Sequence, residues 1–399
     1  MLKPPIRSRY PRARRMSQIE PFHVMELLAR AKTLEAQGRS IIHMEIGEPD
    51  FPTPRPICEA GIRALEHGEL YYTAALGLPA LRAAVADFYR TRYGVDVSAE
   101  RVVITSGSSA ALLLALGVLV DPGSEVLITD PGYPANRHFV RMLNGVPVNV
   151  PVGSDSNYQM TPEGLAHHWS SSTVAALVAT PSNPTGTVIP PDHLERMASH
   201  ASQQGGVLLV DEIYHGLVYE GVTQTALAAT SDVFVINSFS KYFNMTGWRL
   251  GWMVAPDAYL RDLEKLAQNV YLSAPAPAQQ AALAAFEPET LAILDARREQ
   301  FRARRDYLVP ALRKLGFDIP QTPQGAFYVY AGCSQLTQDS FQFSLDLLEH
   351  AGVAIAPGID FGTHRAAEHV RFAYTNSIER LQEGVARLER FIARAHIPQ

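Results

Sequence analysis

Between residues 102 and 254, short apolar runs alternate with helical stretches. The runs are Val102–Thr105, Glu125–Thr129, Pro147–Val150, Ala175–Ala179, Val207–Val210, Val233–Asn237 and Arg249–Val254. Most are continuously apolar, with no polar residue at every second position. That pattern suits strands buried on both faces of a largely parallel sheet covered by helices. Upstream, Pro21–Gln37 carries apolar residues at Phe22, Met25, Leu28 and Ala29 and predicts a helix. A Pro-rich loop follows from Gly47 to Pro54. Beyond about Ser273 the chain turns helical. Pro288 suits the first turn of a helix reaching toward Leu315, where its missing N–H costs nothing. Pro310 is expected to kink that helix or end it early. A shorter second α/β region runs from about Gly316 onward.

The expected fold is therefore α/β, a large unit with a mostly parallel sheet plus a smaller α/β unit. The expected division is a basic tail over 1–15, an arm and helix over 16–46 joining the small unit, a large unit over 47–287, and a linking helix with the small unit over 288–399. The length of 399 residues agrees with more than one core.

Composition narrows the function. A formal net charge of −5 argues against nucleic acid as the main partner. No apolar run reaches the length of a membrane span; Ala110 to Val120 is half that length and ends at Asp121-Pro122-Gly123. Two cysteines, Cys58 and Cys333, exclude a disulfide scaffold and fit a reducing cytoplasm. The first fifteen residues carry Lys3, Arg7, Arg9, Arg12, Arg14 and Arg15 and no acid. They lack the apolar stretch of a secretion signal. They read as a disordered basic tail, or as residues ahead of a start at Met16, in preference to a targeting peptide.

Polar clusters follow the apolar runs directly. They are Ser106-Gly107-Ser108-Ser109, Asp130-Pro131-Gly132-Tyr133, Thr180-Pro181-Ser182-Asn183, Asp211-Glu212-Ile213-Tyr214 and Ser238-Phe239-Ser240-Lys241. Sheets of this kind bind ligands beyond the carboxyl ends of their strands, so five clusters on one rim suggest a site. In the first, a strand, a small-residue turn and a helix make an anion site in which free amides meet a phosphate. A plain helix N-cap is the competing reading. There is no Walker loop and no GxGxxG fingerprint, which disfavours a nucleotide or dinucleotide enzyme. Asp211 follows four apolar residues, and a carboxylate so desolvated needs a cationic partner such as a protonated ring nitrogen. Tyr214, three residues on, can reach a phenolate oxygen of the same ring; the competing reading of Asp211 is again a cap. Lys241 just past a buried strand is out of place unless modified or paired, and lysines of lowered pKa form Schiff bases. Arg249 returns toward the same rim with a fork suited to phosphate.

From Ser238 to Gly251 the sequence matches S-x-S-K-x-x-x-x-x-G-x-R-x-G. With it, nearly the whole chain after Met16 resembles the class I/II aminotransferases of the aspartate aminotransferase family, which have pyridoxal-phosphate fold type I. The resemblance implies pyridoxal 5'-phosphate as cofactor, an L-amino acid donor, a 2-oxo acid acceptor and a ping-pong mechanism. It implies that Lys241 is the Schiff-base lysine and later the proton-moving base. Asp211 would pair with the pyridine nitrogen, Asn183 and Tyr214 with the phenolic oxygen, and Tyr133 would stack on the ring. Ser108, Ser109, Ser238 and Arg249 would form the phosphate cup. Tyr72 would reach the phosphate of a neighbouring subunit, making a homodimer with shared sites. Arg371 would grip the substrate carboxylate, and Gly47 would touch the substrate through its backbone.

A C–S β-lyase of the same fold is the alternative activity. An aspartate-specific aminotransferase is the alternative specificity. A regulator would need a DNA-binding module, for which the first 45 residues leave no room. His167-His168 lacks metal-ligand spacing, and no metal is expected. An acidic donor needs a second cation, yet Ala110–Leu119 and Gln268–Pro277 carry none. Arg30, Arg137 or a partner's arginine remain candidates, and the balance favours a neutral donor, with pyruvate or 2-oxoglutarate as acceptor.

Overall fold

The computed structural model describes residues 11–68, 70–220 and 224–395. The basic residues Lys3, Arg7 and Arg9 lie outside them. Arg14–Ser17 is not shapeless but forms a short exposed 3-10 turn.

Strand β1 (Ile42–Met44) comes first, and seven strands then form one sheet: β2 (Val102–Thr105), β3 (Glu125–Asp130), β4 (Val146–Pro151), β5 (Thr173–Ala179), β6 (Val207–Asp211), β7 (Val233–Ser238) and β8 (Gly251–Val254). Their order is β2-β8-β7-β6-β5-β3-β4. Only β8 runs against its neighbours β2 and β7. All the others therefore present their carboxyl ends at one edge.

The apolar runs explain themselves in this arrangement. Val207 and Leu209 join one hydrophobic core with Leu112, Leu116 and Leu263 of the helices Ser108–Leu119 and Leu260–Val270. Leu208 and Val210 join a second core with Leu81, Val85 and Met197 of the helices Pro79–Tyr93 and Pro191–Gln203. Successive side chains of a strand point to opposite faces, and both faces here are covered. Strand β4 is the exception. It lies at the sheet edge, largely in contact with solvent, and holds Pro147 and Pro151, which an edge tolerates. Strand β8 begins at Gly251 rather than at Arg249, because Arg249 has a left-handed φ of 54° that ends the preceding turn.

A second sheet has the order β1-β10-β11-β9, with β9 at Tyr328–Gly332, β10 at Val353–Pro357 and β11 at His369–Ala373. Strand β1 pairs parallel with β10 and so ties the start of the chain to its end. The N-terminal helix spans His23–Ala36, and its core-facing side is Leu27, Ala31 and Leu34. The helix read over Pro21–Gln37 is present, and the apolar residues that pointed to it, Phe22, Met25, Leu28 and Ala29, are not on that buried side. The long helix Pro288–Lys314 runs unbroken through Pro310 and does not end early.

One carboxylate joins the two sheets. Asp130, ending β3, accepts hydrogen bonds from Thr363 N (3.0 Å), Thr363 Oγ1 (2.9 Å) and His364 N (3.2 Å). Gly362 sits against it so closely that a Cβ would overlap an Asp130 carboxylate oxygen. Asp130→Ala is expected to destabilise by about 2 kcal/mol, because three hydrogen bonds to a buried carboxylate are lost together. Gly362→Ala is expected to cost a similar amount by displacing the carboxylate. Since both act on one contact, the double variant should cost clearly less than the two effects added together. Denaturant unfolding of the four proteins checks this, and simple additivity would refute the shared contact.

Candidate active site

The carboxyl-end rim of the large sheet opens on a cavity of about 710 Å³. At one side, β2 turns through Gly107 into the helix Ser108–Leu119. Gly107 has φ 83°, and a Cβ there would lie 2.8 Å from Arg249 Nη2, so conformation and space both require glycine. The helix has no side-chain cap; Ser108 and Ser109 line the cavity instead, with Arg249. Arg249 donates only to the Thr246 carbonyl, at 3.0 Å. Two hydroxyls, an uncapped helix start and a guanidinium make a site for a dianionic group.

Further along the rim, Lys241 Nζ donates to the Gly47 carbonyl at 2.6 Å. Burial pulls its pKa down to about 8; Glu48 opposes that shift, and Arg371 and Arg249 add to it. Its ammonium lies 5.8 Å from the ring centres of Tyr214 and Phe327. Asp211 ends β6 and is 5% exposed. Desolvation pushes its pKa up to about 7, against a hydrogen bond from Ile213 N and the charge of Lys241. Tyr214 and Tyr328 share a hydrogen bond of 2.8 Å between their hydroxyls. Gly47 lies under Tyr328, where a Cβ would overlap the Tyr328 hydroxyl.

Arg371, from β11 of the other sheet, is 5% exposed. Its Nη1 donates to Asn183 Oδ1 (3.0 Å) and its Nη2 to the Glu45 carbonyl (2.5 Å), while its Nε is buried without a partner. The guanidinium lies 4.3 Å from the ring centre of Tyr328 and 4.7 Å from that of Phe361. The desolvated cation thus keeps a free donor and faces no carboxylate within salt-bridge distance.

Gly47, Tyr133, Asn183 and Tyr214 also border this cavity, so ten of the residues singled out from sequence meet there. Two do not. Ser238 is buried off the wall, its hydroxyl accepting the Ser240 amide at 3.0 Å, and Ser240 lines the cavity in its place. Tyr72 stands on the surface, 83% exposed. Neither proposed distal cation enters the cavity. Arg30 pairs with Glu349 at 2.5 Å, and Arg137 donates to the Asp360 carbonyl at 2.7 Å.

Sequence reasoning missed Tyr328, Phe361, Asp360 and Val24, all of them in the wall. An aromatic run, Phe327-Tyr328-Val329-Tyr330, was the available signal for the first. Phe22 and Met25 were noticed as a helix stripe, but they line the cavity rather than a core.

With this geometry established, comparison with known proteins is decisive. Residues 39–388 match the family model "Aminotransferase class I and II". The chain is 39% identical over 372 residues to the valine–pyruvate aminotransferase of Mycobacterium tuberculosis, covering 93% of this chain and 96% of that one. It is 37% identical over 383 residues to the (5-formylfuran-3-yl)methyl phosphate transaminase of Methanocaldococcus jannaschii, covering 95% and 99%. The solved structure of aspartate aminotransferase from Thermus thermophilus with maleate superposes with a TM-score of 0.90 at 34% identity, covering 96% and 99%. The chain belongs to the class I and II aminotransferase family, with that family's pyridoxal-phosphate fold type I, and it is an aminotransferase.

Proposed function

We propose that this cavity holds pyridoxal 5'-phosphate on Lys241 and moves an amino group from a neutral L-amino acid to a 2-oxo acid, in ping-pong order. One observation carries the reading: Lys241, Asp211, Arg249 and Arg371 face a single cavity, and among the described residues none of them forms a salt bridge. Buried charges such as those of Asp211 and Arg371 need partners. A ligand with a phosphate, a basic ring nitrogen and an aldehyde, followed by a substrate carboxylate, supplies a counterpart for each.

In this reading Ser108, Ser109 and Arg249 hold the phosphate, with Ser238 supporting Ser240 behind the wall. Asp211 keeps a proton on the ring nitrogen, Asn183 and Tyr214 hydrogen-bond the ring oxygen, and Tyr133 borders the ring. When bound, the cofactor withdraws electrons from the donor's Cα and carries the amino group between substrates. Arg371 grips the substrate carboxylate through its fork, and the Gly47 backbone lies against the same substrate. The Lys241 amine removes the proton at Cα and returns it on the other side of the transfer. Its lowered pKa leaves a useful fraction unprotonated near neutral pH, which a base requires.

The neutral donor rests on the wall chemistry. Apart from the three cations above, the charged groups that line the cavity are the acids Glu45, Glu48, Asp211 and Asp360. Phe22, Val24, Met25, Ile46 and Phe361 provide apolar surface. The valine–pyruvate relative is consistent with such a donor and with pyruvate as acceptor. A homodimer with Tyr72 acting across the interface fits the surface. Ile62, Leu65, Leu70, Tyr71, Tyr72, Val270 and Leu272 are all exposed apolar residues. They lie on or beside segments that touch: the helix Arg55–Glu66 packs on Ala276–Leu283, and Gln279 of that helix donates to Thr73. A cytoplasmic location accords with the two free cysteines.

Three outcomes test this reading. Pyridoxal phosphate added to the apoenzyme should couple at a rate that rises with pH through about 8, where the Lys241 amine loses its proton, and not above 10 as for an ordinary lysine. Borohydride reduction and peptide mapping should then find the label on Lys241; a label elsewhere, or none lost in Lys241→Ala, refutes the assignment. Second, kcat/KM for valine, leucine or phenylalanine should exceed that for aspartate by at least about tenfold, the scale on which one unpaired distal carboxylate matters. Equal or better turnover of aspartate sinks the neutral-donor reading. Third, mixing Tyr72→Phe and Lys241→Ala chains should regain up to about a quarter of wild-type activity, because random pairing gives half heterodimers with one intact site each. No gain over the parent proteins would end the shared-site reading.

A further inference from the structure

The helix His23–Ala36 lacks a cap of its own, since Phe22 at the N-cap offers no side-chain acceptor. The first amides of such a helix need partners. They find one 336 and 337 positions away: His23 N donates to Asp360 Oδ1 at 2.7 Å and Val24 N to Asp360 Oδ2 at 2.8 Å. Asp360 is 5% exposed and ends the 3-10 turn Gly358–Asp360 that follows β10. Arg137 holds the turn from the other side through the Asp360 carbonyl. The residue after it, Phe361, lies under Arg371. The amides that Asp360 grips are thus anchored to the turn whose next residue packs against the carboxylate-binding cation.

What the grip positions is a piece of the cavity wall. Phe22, Val24 and Met25 line the cavity, and Phe22 meets Tyr133 edge-on with ring centres 6.3 Å apart. No cavity-lining cation comes from this segment.

We propose that Asp360 is a positioning residue for substrate specificity: its carboxylate fixes the first turn of the N-terminal helix so that Phe22, Val24 and Met25 form the apolar wall that receives a branched or aromatic donor side chain. The inference rests on the neutral-donor reading above and names the side-chain class within it. A mere structural cap would change stability and leave the ranking of donors alone. A positioning role changes the ranking, because a small side chain such as that of alanine does not need the wall, whereas phenylalanine does.

The experiment uses holoenzyme of the wild type and of Asp360→Ala, Asp360→Asn and Phe22→Ala, with phenylalanine, leucine, alanine and aspartate as donors. In Asp360→Ala the ratio of kcat/KM for phenylalanine over alanine should fall about tenfold, mainly through KM. Asp360→Asn keeps one acceptor oxygen and should fall in between. Phe22→Ala should reproduce the loss, and it carries the test if Asp360→Ala does not fold. Amide exchange over residues 22–30 should quicken in Asp360→Ala, while that of the helix Pro288–Lys314 stays unchanged. A wild-type preference for aspartate overturns the donor reading and this inference together. A wild-type preference for neutral donors with an unchanged phenylalanine-to-alanine ratio in the variants overturns this inference alone.

Discussion

The structure turns on keeping charged groups at the edge of an apolar sheet without letting them neutralise one another. Asp211 follows four residues that are buried on both sides of β6, and Lys241 follows the equally buried β7. In a medium of low polarity such groups either pair or shift their protonation. Here they shift: burial lifts the acid to about 7 and lowers the amine to about 8. Direct pairing would cancel the field that the proposed cofactor would use. The parallel strands prevent it by fixing each group at its own strand end, while Lys241 is held to the Gly47 carbonyl. The rigidity of the sheet is therefore part of the chemistry.

How much of this the sequence disclosed follows from where each contact arises. The inner strands of the large sheet were visible because a strand covered on both faces reads as an unbroken apolar run, while the edge strand β4 was visible from its valines alone; Leu208 and Leu209 serve different cores yet look alike in sequence. Lys241, Asp211, Asn183 and Ser108 were visible because each lies within a few residues of a strand end. Tyr328, Phe361 and Asp360 were not, because they come from the start of β9 and from the turn after β10 and reach the site by tertiary contact alone. Phe22 and Met25 pointed to a helix without disclosing the cavity, for a related reason. A periodic apolar face announces that something covers it, but not whether the cover is a core or a cavity. Pro310 failed as a helix breaker since the surrounding helix, with Leu308, Val309 and Leu312 buried, is held by packing that outweighs one lost hydrogen bond.

Polar ties link segments that flank the two sheets. Asp130 reaches Thr363 and His364, the Gly132 amide donates to the Phe361 carbonyl at 2.8 Å, and Arg304 holds Asp50 with two bonds of 2.7 and 2.9 Å. Such ties are directional, unlike apolar burial, so they define the relative placement of the sheets. That placement decides whether Arg371, on the second sheet, stands at the right distance from Lys241 and Asp211, on the first. On the proposed reading a substrate carboxylate on Arg371 would orient a bond to be broken by groups carried on another sheet, which is how positioning lowers a barrier.

Discrimination among donors has a different origin, because the reacting atoms are common to every amino acid. It must come from the part of the wall that touches the side chain. In the proposed reading the cavity's cations serve phosphate, carboxylate and proton transfer, and Arg30 and Arg137 are engaged elsewhere. The unassigned charges in the wall are acids, which favour no second carboxylate. The remaining lining is part polar, with Ser108, Ser109, Asn183, Ser240 and Thr246, and part apolar, and the apolar part comes partly from the N-terminal helix, whose first amides are held by Asp360. One buried carboxylate holds a helix end, and on the proposed reading it thereby also sets the shape of a wall that would reward an apolar side chain, at about 25 cal/mol per Å² removed from water.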